Sequence, residues 1–265
     1  MRIRTIAALM VVAAPSLTTA QSVKLTYAPG TAKYQVTSQT KITQEMMGQK
    51  QEVDLTSDQK LTFSATSTAG GLLDFTVSLD TISMTNSMAP AGDMTKLIGT
   101  KYVGLMNANG KVVSGEVTVP GGGDPKSAQA NGVRLFLPVL TGATSVGAKW
   151  TDTATSVVTQ GSGAEIKATT VTNYTLVGDT TYDGQKSWKV QHDVVTTLAG
   201  KGSQQGTEFT MEGTSKAGGM SYFSLAGLYI GRTSKEETNL TVTVESAGMV
   251  IPVTQASTVK VVLLK

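Results

Sequence analysis

Leu73-Asp-Phe75-Thr-Val77-Ser-Leu79 sets an apolar side chain at every second position, with a small or acidic one between. Successive side chains of an extended chain point to opposite faces, so the stretch reads as a strand with one dry face and one wet face. The alternation continues outward from it. Val23, Leu25 and Tyr27 share a parity, as do Tyr34, Val36 and Ile42, and then Val53, Leu55, Leu61 and Phe63. Toward the C-terminus the same holds for Trp188, Val190, His192 and Val194, for Leu240, Val242 and Val244, and for Val259, Val261 and Leu263. The pattern predicts an all-β chain of antiparallel sheets, each wet on one side. After Leu79 the apolar parity shifts to Ile82 and Met84, which predicts a bulge or the end of that strand.

Composition agrees. Threonine supplies 41 of the 265 residues, and its β-branched, polar side chain suits the solvated face of a strand. Charged residues make up 15% and there are 28 glycines, a profile of turns and neutral strands. Asn109-Gly110 and Asp183-Gly184 are tight-turn signals between apolar runs. Weaker turn signals stand at Gly48, Gly70-Gly71, Gly200 to Gly202 and Ala247-Gly248, with Met46-Met47 at a hairpin tip. Glu236-Glu237 reads as a solvated turn.

One segment breaks the alternation. Pro120-Gly-Gly-Gly-Asp124-Pro125 is a turn-rich joint, and Asp124 before Pro125 is a helix N-cap followed by a first-turn proline. A short helix is predicted near residues 126–137, and a weaker one near Asp93–Ile98. The joint, residues 120–138, divides the chain into an N-terminal β half (21–119) and a C-terminal β half (139–265). The halves echo each other: Gly30-Thr-Ala-Lys-Tyr34 against Gly147-Ala-Lys-Trp150. A true duplication and a chance match of common residues both stay open. The expected architecture is a curved half-barrel or a sandwich.

Residues 1–20 carry Arg2 and Arg4, then an apolar run from Ile6 to Ala14, then small residues to Ala20. That order is the order of a signal peptide, cleaved near Ala20. The run is short of the roughly 20 residues that span a bilayer, and with no cysteine there is no lipidation site. The expectation is a soluble periplasmic or secreted protein without an integral membrane segment in its mature chain.

Function classes narrow by elimination. The mature chain holds 20 Lys and Arg against 19 Asp and Glu, only two of them arginines, Arg134 and Arg232. Nucleic-acid binders concentrate basic residues with aromatics between them, so no nucleic-acid partner is expected. A single histidine and no cysteine leave no metal site of the zinc type, and no cofactor motif is present. Ser38/Lys41, Ser57/Lys60 and Ser257/Lys260 match Ser-x-x-Lys, but on strands i and i+3 face opposite ways. His192 lies on an apolar parity and reads as a packed imidazole, so no catalytic residue is assigned. Met84, Met88, Met94 and Met106 crowd one region with Leu97 and Ile98. Methionine suits surfaces that accept varied apolar partners, so these six are the candidate ligand-binding residues, with core packing as the alternative.

Leu25-Thr-Tyr27-Ala-Pro-Gly30, the Met46-Met-Gly-Gln49 tip and Gly147-Ala-Lys-Trp150-Thr-Asp152 together resemble uncharacterised exported bacterial proteins grouped as domains of unknown function. The resemblance implies an exported β-rich fold and no activity. By fold analogy alone, long antiparallel strands with one side plugged look like the periplasmic lipoprotein-carrier half-barrels. Three readings follow. A carrier would hold an apolar small molecule or lipid in a curved sheet; an envelope structural or interaction protein would have a filled core; a hydrolase would need a hidden constellation around His192.

Overall fold

The long alternating runs fold into eleven strands: β1 (Gly30–Met46), β2 (Gln49–Ser67), β3 (Leu73–Asn86), β4 (Lys101–Met106), β5 (Val112–Thr118), β6 (Lys149–Thr159), β7 (Glu165–Tyr182), β8 (Gln185–Gln204), β9 (Thr207–Ser224), β10 (Tyr229–Val244) and β11 (Met249–Leu263). The computed structural model describes residues 23, 25–46, 48–88, 94–122, 136–159, 165–204 and 207–265. The signal-peptide residues 1–20 lie outside them. So does most of the predicted helix at 126–137, of which Phe136 and Leu137 are irregular chain rather than helix. The weaker helix near Asp93–Ile98 is a single 3-10 turn over Thr95–Leu97.

All strands join one antiparallel sheet in the order β5-β4-β3-β2-β1-β11-β10-β9-β8-β7-β6. Each half is a meander of hairpins, and the two meanders meet where β1 pairs with β11. A single sheet replaces the sandwich alternative, and it is not closed into a barrel. Its curvature follows from chain geometry. The segment after Phe136 bonds to the β4–β5 turn through Leu140 N–H and the Asn109 carbonyl (2.7 Å), and to β7 through Leu176 N–H and the Ala148 carbonyl (2.9 Å). Eight residues reach at most about 28 Å. Eight interstrand spacings separate β4 from β7, about 38 Å if the sheet were flat. The sheet therefore bends around this segment.

Turns and parity fall where the alternation places them. Asp183 and Gly184 both take positive φ (48° and 74°), as a two-residue hairpin of this twist requires. The parity change after Leu79 is a register shift between β2 and β3 that keeps Leu79, Ile82 and Met84 on one face. Two turn readings are corrected. Gly200 to Gly202 run inside β8, and Glu236-Glu237 sit in the middle of β10. In both places an unbroken cross-strand register of long strands overrides the local turn preference of Gly and paired Glu.

Among the described residues the concave face is filled at one end only. Tyr34, Leu61, Phe63, Phe75, Val77, Leu79, Leu176, Trp188, Val190, Phe223 and Val261 form a buried core there, closed by residues 23, 25–29 and 136–148. Tyr27 donates its hydroxyl to the Pro138 carbonyl (2.8 Å), and Trp150 Nε1–H to that of Val139 (2.7 Å). The convex face carries Thr, Lys, Glu and Asp. There Lys41 and Lys50 both bond Glu52, at 2.6 and 2.8 Å, and hold its carboxyl down at about 2. These groups are solvated, so Glu52→Gln is expected to leave the calorimetric transition unmoved.

Candidate functional site

The six sequence-derived candidates do not form one site. Met106 is wholly buried in the core, where β4 pairs it with Leu73. Met84 stands eleven residues further along β3, roughly 36 Å away, half-buried on the concave face opposite Ser57. Met88 is 58% exposed after the end of β3. Met94 is half-buried before the 3-10 turn, Leu97 packs against the core and Ile98 is exposed.

Past the core, the long strands carry the concave face onward in two zones. The first is polar. Ser257 meets Thr40 (3.0 Å) and accepts from Gln255 (3.2 Å), Gln59 donates to Ser57 (3.3 Å), and Ser215 donates to the Glu236 carboxylate (2.5 Å). Thr170 and Thr196 meet at 3.0 Å on the far side of the same zone. The second zone, at the strand ends, is apolar. Ile42 pairs with Val53, Leu240 with Val253, and Val242 with both Ile251 and Met211. Leu55 and Leu198 share that face, and all of these side chains are half-buried.

At the filled end a cavity of about 240 Å³ lies beneath the N-terminal strap, lined by Tyr27, Pro29, Tyr34, Phe63, Leu137 and Tyr229. None of the six candidates lines it. Tyr34 donates to the Tyr229 carbonyl (3.0 Å), and Tyr229 packs its ring against Phe223, Tyr34 and Phe136 at centroid distances of 5.5, 5.7 and 6.0 Å. Burial raises the pKa of Tyr27, Tyr34 and Tyr229, so all three stay protonated.

Where the core gives way to the polar zone stand His192, Ser221 and Arg232. β9 pairs Ser221 with Arg232 on one side and Val190 on the other, and β8 pairs the next inward residue, His192, with Gly219. His192 is buried as its parity predicts, with Nδ1 3.4 Å from Ser221 Oγ. Burial first, then the Arg232 charge, push the imidazole down to about 4, against an opposite pull from Asp193. Among the described residues no carboxylate hydrogen-bonds the imidazole and no group of His, Asp and Glu is arranged to hold a metal. Arg232 escaped sequence reasoning. The available signal was its rarity: arginine suits a buried cation that must keep its charge, whereas the chain uses lysine at its wet surface.

Among the described residues no helix is long and apolar enough to cross a membrane. No protein-family model matches the chain, and no curated protein matches it in sequence. Two solved structures are similar to it at low levels. Pseudomonas aeruginosa OccK11 (OpdR) has 8% identity and a TM-score of 0.28, covering 92% of this chain and 99% of that one. A DUF1329 family protein from Desulfovibrio piger ATCC 29098 has 9% identity and a TM-score of 0.23, covering 87% and 84%. Scores this low establish no shared fold; what the chain itself shows is a β-rich protein built on one open antiparallel sheet.

Proposed function

We propose that this protein is a non-catalytic carrier of the cell envelope that holds the apolar part of a lipid-like ligand against the open end of its concave face. The observation that carries the reading is the apolar belt of Ile42, Val53, Leu55, Leu198, Leu240 and Val242, set apart from the filled core by a polar zone. A sheet built only to support a core would end where the core ends; these strands run on and keep apolar side chains on the inner face. The convex face, by contrast, is dominated by charged and hydroxyl side chains over the same length, with Val195 and Val250 among its exposed exceptions.

The test is saturable binding of a fluorescent polyene fatty acid. Leu55→Glu and Leu240→Glu together are expected to weaken it more than about tenfold, because a carboxylate in an apolar contact is costly to desolvate. The convex substitution Thr241→Glu is expected to change nothing. Equal loss in both variants, or no saturable binding by the unaltered protein, would refute the carrier reading. The structural-protein reading is favoured by one observation, the dense core at the other end, where the cavity beneath the strap measures only about 240 Å³. It predicts no ligand at all.

A further inference from the structure

Arg232 is the basic side chain of β10 that faces inward. Lys235, its neighbour on that strand, takes the outward parity, as do Lys41, Lys60, Lys216 and Lys260 on the strands around it. Among the described residues Arg232 makes no side-chain hydrogen bond and no ion pair, and its Nε–H is buried without a partner. The inward carboxylate of the same strand, Glu236, lies four residues on, roughly 13 Å away, and is engaged by Ser215 and Thr238. A half-buried guanidinium with no counter-charge is an expensive arrangement, and its cost falls when an anion arrives.

A second orphan donor stands beside it. Tyr229 and Arg232 are consecutive inward residues of β10, opposite Phe223 and Ser221, with a bulge between them. Tyr229 is 1% exposed, and its hydroxyl is buried with no hydrogen-bond partner. The buried phenol stays protonated, so this group arrives as a donor. Ser221 and the neutral imidazole of His192 complete the rim, the serine having only the long 3.4 Å contact to satisfy it. Two unsatisfied donors, one of them charged, occupy consecutive inward positions of β10 where the filled core meets the concave wall, near enough for the Arg232 charge to act on the Tyr229 hydroxyl.

We propose that Arg232 and the Tyr229 hydroxyl form an oxyanion-binding seat that takes the carboxylate or phosphate of the bound ligand. The guanidinium supplies the charge and a forked pair of N–H donors, and the phenol supplies one further hydrogen bond. As the seat of an amphiphile's head the site rests on the carrier reading, with the near edge of the apolar belt, Leu55, four residues or roughly 13 Å further along the register to receive the chain. As an anion site it stands without that reading.

Three probes separate these cases in the full chain: oleate, oleyl alcohol and inorganic phosphate. Binding of the first two is measured by titration, and the Arg232 Nε–H resonance is followed by NMR with each anion. Oleate is expected to bind about tenfold or more tighter than oleyl alcohol, the range of a charge-assisted hydrogen bond, and to shift the Nε–H resonance saturably. Arg232→Gln should erase that preference while leaving oleyl alcohol binding in place, and Arg232→Lys should restore part of it. Tyr229→Phe should weaken oleate several-fold yet raise the melting temperature of the ligand-free protein, because it removes a buried hydroxyl that nothing satisfies. That last readout keeps the proposal testable if Arg232→Gln does not fold. A saturable shift with phosphate but no binding of either oleyl compound would uphold the anion seat, assign it a free anion and refute the carrier reading. Binding of both oleyl compounds with equal strength, or no response of Arg232 to either anion, would overturn the seat.

Discussion

Phe223→Ala is expected to destabilise the protein by about 3–5 kcal/mol, the cost of truncating a fully buried aromatic and leaving a cavity. Phe223 is 0% exposed and bridges two separate parts of the core: its ring stands 6.3 Å from Tyr27 on the N-terminal strap and 5.5 Å from Tyr229 across the hairpin. The loss therefore loosens the strap as well as the sheet. For a chain of this length the thermal midpoint should fall by roughly 10 °C. Leu225, two residues on and 54% exposed, serves as the control, and Leu225→Ala should barely register. A small shift for Phe223→Ala in calorimetry would mean that the filled end is loosely packed.

The second large effect is acid sensitivity through His192. Its imidazole titrates at about 4 in the folded protein, against roughly 6.5 in an unfolded chain. Between those values the unfolded chain binds the extra proton, so folding stability falls as the pH drops from about 6.5 toward 4. The stabilising contribution is present in full above that window and gone below it. Its size is about 3 kcal/mol, and the sign is that of a buried neutral base. Urea unfolding at pH 7 and pH 4 should show this loss in the native sequence, and His192→Gln should remove it. An unchanged pH dependence in that variant would assign the acid sensitivity to the carboxylates instead.

The strand faces were legible because period-two alternation is a local property. Tyr34, Phe75, Trp188 and Val261 were assigned to the dry face from spacing alone, and the bulge after Leu79 announced itself as a break in that spacing. Turns were legible where two residues both needed unusual dihedrals, as at Asp183-Gly184, and misread where glycine or paired glutamates merely made a turn cheap, as at Gly200 and Glu236. Strand order was not legible, since nothing in the spacing of Val36 and Val261 says that they lie side by side. The methionines show the same limit from the other direction. Met84 and Met106 are close in sequence, yet the length of β3 keeps them apart. Arg232 was legible only as a rare arginine in a chain that otherwise uses lysine; what makes it matter, the lack of a counter-charge among the described residues, has no sequence signature.

The pairing of β1 with β11 has a consequence for the order in which the molecule can be assembled. Tyr34 and Leu263 are partners across nearly the whole length of the chain, and that seam lies in the middle of the sheet, not at its rim. Each meander can zip up locally, hairpin by hairpin, as soon as it has been synthesised. The N-terminal meander nevertheless waits with the bare edge of β1 exposed until β11 has been made. Closing so long a loop makes the final step slow relative to the hairpins. Until then the waiting edge is a template for any extended chain, including a second newborn copy. The threonines and lysines that crowd β1, such as Thr37, Lys41 and Thr43, thus guard a temporary edge as well as wetting a permanent surface.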